Sequence, residues 1–341
     1  MSRRGRRPVR KDSGWLRAVF RRWTLLPLLA VALAAAAFAA YRLPGPAAQP
    51  VDVVLPKGAG VRQIAGALKG AGVIWSKSLF QIAARANGKA ARLKAGEYEF
   101  RAHVSMAAVL GDIADGKVVR RFVVAPEGWT SAMVADAVRA APVLTGEVET
   151  PPEGSILPDG YQYQRGEARE AVIGRMRAAR DALLAGLWAA RAPDIPIQTP
   201  EQAVTLASIV EKETGLAAER PRIAAVFENR LRIGMRLESD PTVIYAVSQG
   251  RPLGRGLLRS ELDQPSPYNT YKIVGLPPTP IANPGRAALA AVLNPPASDD
   301  LYFVADGTGG HVFASTYAEH QANVAKWRAI ERSRATGGTG K

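Results

Sequence analysis

LASIVEKETGLAAERPRIAAVFENRLRIGMRLESDPTVIYAV (206–247) is the densest patterned stretch of the chain. Its apolar spacing, with the preceding EQAVT (201–205), predicts one helix over 201–214 and a second over 219–235. Ser239-Asp240-Pro241 then reads as a cap followed by proline at the first helical position, starting a third helix at TVIYAV. Outward from this block, ARDALLAGLWAARA (179–192) is helical and SPYNTYKIVGLPPTPIANPG (266–285) is loop-like. Asn283-Pro284 repeats the cap-and-proline start ahead of RAALAAVL. LYFVAD (301–306) is a strand, GTGGHVF turns into another, and AEHQANVAKWRAIER forms a terminal helix before the flexible tail 333–341. The fold class expected is α+β.

Towards the N-terminus an internal similarity appears. VDVVLPKGAGVRQIAGALKGAG (51–72) matches RFVVAPEGWTSAMVADAVRAAP (121–142). Val53, Val54, Pro56 and Gly58 recur as Val123, Val124, Pro126 and Gly128, and Ile64, Ala65 and Leu68 as Val134, Ala135 and Val138. Each copy reads as strand, turn and amphipathic helix. SLFQIAARAN (78–87) adds a helix, LKAGEYEF (93–100) a strand entered through Gly96, and MAAVLGDIADG (106–116) a helix closed by Gly116, giving a small α+β module over 51–120. RLPGPAAQP ahead of it makes 43–50 a linker.

The first residues are of a different kind. Residues 24–41 carry no charge over 18 positions, about 27 Å of helix, enough for a hydrocarbon core. The tail 1–22 holds nine Arg/Lys and one acid, so it contributes +8 of the net +15. By the positive-inside rule a helix over 23–42 would leave the tail in the cytoplasm and export the rest. A cleaved signal peptide near Ala39-Ala40 is the competing reading and exports the body equally. Either way nucleic acid is excluded as the partner of the basic charge. The chain has no cysteine, so disulfides, thiolate metal sites and cysteine nucleophiles are excluded, and its three histidines form no zinc motif. No metal or cofactor is expected. Nucleotide-binding glycine loops and the serine-hydrolase elbow are absent from the sequence.

On a helical wheel Val204, Leu206, Ile209 and Val210 define an apolar face, and Glu213 lies about 25° from its centre. Glu211 points about 135° away, towards solvent or a neighbouring element. A buried Glu213 would hold its proton near neutral pH, as a general acid for glycosidic cleavage must. Two other readings stand beside it: a frayed, exposed helix end near Gly215, or an ion pair with Arg220 or Arg230.

The segments 206–247, 266–285 and LYFVADGTGGHVFASTYAEH (301–320), with LPKGAGVRQIAGAL, LKAGEYEF and VVAPEGWT before them, closely resemble the YceG-like family of endolytic murein transglycosylases. The resemblance implies a LysM-like module over 51–120 and a catalytic domain over 121–332, in a single-pass protein of the inner membrane facing the periplasm. It implies cleavage of peptidoglycan glycan strands between N-acetylmuramic acid and N-acetylglucosamine, leaving a 1,6-anhydro end, and leaves peptidoglycan synthases open as partners. The family's catalytic residue is the second Glu of Glu-Lys-Glu, here Glu213, with Glu211 as the fallback. Where the family carries E-G-x-x-x-P-D-T-Y, this chain has EGSILPDGY (153–161), with Gly160 in place of Thr.

Six further residues are candidates for substrate contact. Asp240 is read either as orienting the substrate or as a helix cap. Tyr268, Asn269, Thr270 and Tyr271 form a polar and aromatic run suited to sugars, the tyrosines alternatively pinning the loop to the core. His311 lies in a glycine-flanked turn, facing the cleft or serving structure. Ser208 is read as packing. A wall-binding protein without catalysis and a two-carboxylate muramidase using Asp240 or Glu238 are the rival functions.

Overall fold

The computed structural model describes the backbone of residues 14–337 and the side chains of residues 28–334. In chain order the elements are α1 (Gly14–Arg42), β1 (Val51–Leu55), α2 (Val61–Gly70), α3 (Lys77–Ala86), β2 (Gly96–Phe100), α4 (Met106–Asp115), β3 (Arg121–Val124), α5 (Ser131–Ala140), β4 (Gly160–Tyr163) and α6 (Arg169–Ala189). There follow α7 (Pro200–Glu213), α8 (Arg220–Arg232), α9 (Asp240–Ser248), α10 (Arg259–Asp263), α11 (Arg286–Leu293), β5 (Tyr302–Ala305), β6 (His311–Ala314) and α12 (Tyr317–Gly337). This is a mixed α+β chain whose strands form three antiparallel pairs, β1–β2, β3–β4 and β5–β6. Two compact units divide it, Met1–Arg120 and Arg121–Lys341.

Among the described residues no helix is long and apolar enough to cross a membrane. The basic tail 1–22 and the start of the 23–42 span lie outside the residues whose side chains are described. At the other end α12 continues to Gly337, so the tail expected from 333 starts later; residues 338–341 lie outside the described residues.

In the first unit β1 pairs with β2 so that Val53 faces Tyr98, and Val53, Leu55, Tyr98 and Phe100 bury against Ile64, Leu68, Phe80, Val109, Leu110 and Ile113. Ser105 caps α4 through Ala108 N–H, and Gly116 closes it in the left-handed conformation (φ 76°) that a Cβ disfavours.

The second unit begins with the same pattern. Val123 faces Tyr161 as Val53 faces Tyr98. Each tyrosine hydroxyl donates to the carbonyl four residues earlier, Tyr98 to Lys94 and Tyr161 to Leu157, both at 2.8 Å. Val172, Ile173 and Met176 on α6 are buried like Val109, Leu110 and Ile113 on α4. The likeness seen at 51–72 and 121–142 thus extends through a second strand and a second helix. The chain offset is 70 before the insert and 63 after it, because the second copy replaces α3 by a shorter loop.

The rest of the second unit is a helical core. One face of α7 (Val204, Leu206, Ala207, Ile209, Val210) packs on Ile223, Ala224 and Phe227 of α8 and on Leu289, Val292 and Leu293 of α11. Thr199 caps α7 through Gln202 N–H, with Pro200 in its first turn. The β5–β6 hairpin adds Phe303 and Phe313 to this core. The start of α11 differs from the expectation. Its cap position is Gly285, while Asn283 is fully buried and bonded elsewhere.

Candidate active site

Helix α7 ends at Glu213, because Thr214 turns into extended backbone (φ −141°, ψ 136°). Both carboxylates of the Glu-Lys-Glu triplet are therefore in the last turn, where the helix dipole disfavours negative charge. Glu211 is buried, which pushes its pKa up against the pull of the Gly285 N–H and the Arg220 charge. It accepts from Arg220 Nη2 at 2.8 Å and from the Gly285 N–H at 2.9 Å. Lys212 reaches back to the Gly128 carbonyl at 3.3 Å. Arg220 thus pairs with Glu211, not with Glu213.

Glu213 is partly buried, and the exposed, frayed end is not what forms. Burial, reinforced by the Asp240 charge, pushes its pKa up to about 7; the Ser239 hydrogen bond and the charges of His311 and Arg230 pull the other way. The Ser239 hydroxyl donates to Oε1 of Glu213. Ser239 occupies the cap position of α9 and makes no side-chain cap bond. Asp240 is the first residue of that helix, one place beyond the cap, and its carboxylate accepts from the Tyr271 hydroxyl at 2.7 Å. Burial and the Asp240 bond both push the Tyr271 phenol up, so it remains a donor.

The 268–271 run divides by depth. Thr270 is fully buried and accepts from the Ser239 N–H at 2.9 Å. Asn269 is buried too; its amide donates to the carbonyls of Leu262 (3.0 Å) and Gln264 (2.8 Å) and its oxygen accepts from Tyr271 N–H. These two hold the loop from behind, whereas Tyr271 reaches Asp240. Tyr268 packs against Tyr245 with the rings tilted (4.9 Å between centroids) and bonds Thr279 at 2.7 Å.

His311 opens β6. Its N–H and its Nδ1 both meet the Glu219 carboxylate at 2.8 Å, and Glu219 also accepts from Thr214, the residue after Glu213. Arg230 is buried, donating to the carbonyls of Leu301 (2.7 Å) and Leu237 (2.6 Å). Ser208 is a packing residue, accepting from Ile281 N–H at 3.0 Å. Glu213, Ser239, Asp240, Tyr271 and His311 thus come to one place, and a single acid with a proton near neutral pH is held there.

The sequence reading gives Ser239 and Glu153 no role in a site and takes Asn283 for a helix cap. Asn283 donates to the Trp129 carbonyl (3.0 Å) and Glu153 (3.3 Å) and accepts from Ile156 N–H (3.0 Å), while Glu153 accepts from Ser131 N–H at 2.7 Å. This network ties three loops of the second unit together. A cavity of about 460 Å³ lies at the other end of α7, lined by Gln198, Glu201, Thr205, Leu231 and Pro277.

The YceG-like family model matches residues 53–326, most of the chain and all of the elements just described around Glu213. The chain belongs to the YceG-like family. It is 28% identical over 309 residues to a protein of Bacillus subtilis (strain 168) named endolytic murein transglycosylase, covering 81% of this chain and 84% of that one. A Streptococcus pneumoniae (strain D39) protein of the same name is 29% identical over 326 residues, and the match spans 58% of its length. A crystal structure of a yceG-like protein from Listeria monocytogenes superposes with a TM-score of 0.51 at 29% identity, covering 80% of this chain and 98% of that one. Membership in the YceG-like family agrees with the resemblance carried by the 206–247 block.

Proposed function

We propose that this protein is an endolytic murein transglycosylase in which Glu213 is the only acid–base group. The observation that carries the reading is the state of that side chain. It is a carboxyl group at the end of α7, bonded by the Ser239 hydroxyl with Asp240 and His311 beside it and its pKa pushed up by burial to about 7, in a member of a family whose relatives carry that name. A group poised near the working pH serves both as acid and, once ionised, as base.

The substrate is the β-1,4 bond between N-acetylmuramic acid and N-acetylglucosamine. Glu213 gives its proton to the bridging oxygen as the bond from that oxygen to the muramyl C1 breaks. C1 gains oxocarbenium character. The Glu213 carboxylate then takes the proton of the C6 hydroxyl of the same sugar while O6 bonds to C1. The glycan leaves with a 1,6-anhydro end and Glu213 is protonated again. Because the nucleophile is intramolecular, no second carboxylate is needed to activate water. Tyr271 and Asp240 border the sugar, and His311, held through Nδ1 by Glu219, offers Nε2 to it.

The proposal includes the setting. Residues 23–42 anchor the chain in the inner membrane with its basic tail in the cytoplasm, 51–120 is a LysM-like module that holds glycan, and 121–332 cuts nascent strands, ending their elongation. Peptidoglycan synthases are the fitting partners. Mass spectrometry of uncrosslinked strands digested by the wild type and by Glu213→Gln tests the chemistry. Anhydro ends from the wild type and none from the variant are expected. Ends carrying an added water, or an active variant, would overturn it.

A further inference from the structure

We infer that Ser239 is a positioning residue for Glu213: its hydroxyl occupies Oε1 and thereby assigns the transferable proton to Oε2. The inference rests on Glu213 being the acid.

A serine at a helix cap ordinarily turns its oxygen to an N–H two or three residues along. Ser239 stands at the cap of α9 and makes no such bond; its Oγ donates to Glu213 instead. The helix gives up that capping bond, and the surrounding chain fixes the residue by other means. The Ser239 N–H donates to Thr270 Oγ1 at 2.9 Å, and its carbonyl accepts from Thr242 Oγ1 at 2.6 Å and Thr242 N–H at 3.2 Å. Ser239 is 1% exposed, and Thr242 and Thr270 are fully buried. The residue before it, Glu238, is held at φ 50°, in the left-handed region that side chains other than glycine rarely adopt. A buried hydroxyl with its backbone bonded on both sides has little freedom to turn elsewhere.

The consequence is chemical. An oxygen that accepts a hydrogen bond along its lone pair does not carry the acidic hydrogen in that direction, so the neutral acid is protonated on Oε2. After transfer the same bond stabilises the carboxylate that must take the next proton. Asp240 from α9, Arg230 from α8, His311 from β6 and Tyr271 from the loop are the other charged or titratable groups around Glu213.

The test is Ser239→Ala and Ser239→Thr beside Glu213→Gln, in the full chain acting on uncrosslinked glycan strands. Ser239→Ala should lower kcat about 10–100-fold with KM little changed, the value of one hydrogen bond to a charged group. The alkaline limb of its kcat/KM profile should move up by about one pH unit, since the ionised form loses its donor. Ser239→Thr keeps the hydroxyl and should return both towards wild type. Ser239→Gly, which a cap position tolerates, supplies the same readout if alanine disturbs folding. A lowered melting temperature with the limb unmoved, or wild-type kcat in Ser239→Ala, would overturn the inference. An active Glu213→Gln would instead overturn the assignment of the acid.

Discussion

Glu211 and Glu213, two residues apart in the last turn of α7, are held by different chemistry: Glu211 by the Arg220 guanidinium and the Gly285 N–H, Glu213 by the neutral Ser239 hydroxyl with Asp240 beside it. Burial pushes both carboxyls up, but at Glu211 the Gly285 N–H and the Arg220 charge oppose it, whereas at Glu213 the Asp240 charge adds to it. The two variants should separate accordingly.

Glu211→Ala leaves the Gly285 N–H without its partner and Arg220 with only the Glu127 carboxylate at 3.4 Å, in a buried setting. Breaking such a pair costs about 3–5 kcal/mol. Urea denaturation should show a loss of that order. A loss under about 0.5 kcal/mol, the scale of surface substitutions, would contradict a structural role.

Glu228 on α8 is fully buried, and neither of its oxygens has a hydrogen-bond partner; Arg232 approaches to 3.5 Å. Burial pushes its pKa up to about 7 from an ordinary 4.5, against the pull of Arg232. The folded chain therefore keeps a proton that the unfolded chain has lost. Stability contributed by this group is present below about 4.5, falls as pH rises towards about 7, and is flat above. Glu228→Gln should flatten part of that decline in denaturation curves, leaving the part due to Glu213 and to Glu211 and Glu153, which burial also pushes up. An unchanged decline would contradict the account.

Asn283→Ala removes bonds to the Trp129 carbonyl, Glu153 and the Ile156 N–H together. Unpaired buried polar groups cost about 1–3 kcal/mol each, so a stability loss of about 2–4 kcal/mol is expected by denaturation. A loss confined to activity would mean that Asn283 belongs to the site and not to its frame.

Tyr271→Phe deletes the donor to Asp240. Turnover of glycan strands should fall about tenfold, as one charge-assisted hydrogen bond is worth. Wild-type turnover would remove Tyr271 and Asp240 from the catalytic surroundings.

Much of this was legible in the chain. Helix α7 and its apolar face follow from spacing that is local, and so do Gly116 closing α4 and the Ser239-Asp240-Pro241 start of α9. Glu211, which the wheel turns away from that face, is the less exposed of the two glutamates because Arg220 and the Gly285 N–H cover it. What was hidden depends on distant partners. Ser239 reads as no more than the residue before an Asp240 cap until the end of α7, 26 residues earlier in the chain, is brought to it. Asn283 reads as a cap for the same reason, since Trp129 lies 154 residues away. Asn269 and Thr270 read as sugar contacts by residue type, and only packing reveals that they are buried. The second half of the repeated module escaped notice because the missing α3 shifts the offset.

The central claim is that Glu213 keeps its proton until close to neutral pH. A carbon-13 NMR titration of glutamate side chains, with Glu213 assigned by the signal lost in Glu213→Gln, measures this directly. A midpoint near 7 is predicted. A midpoint near the ordinary value of 4.5 would contradict the account.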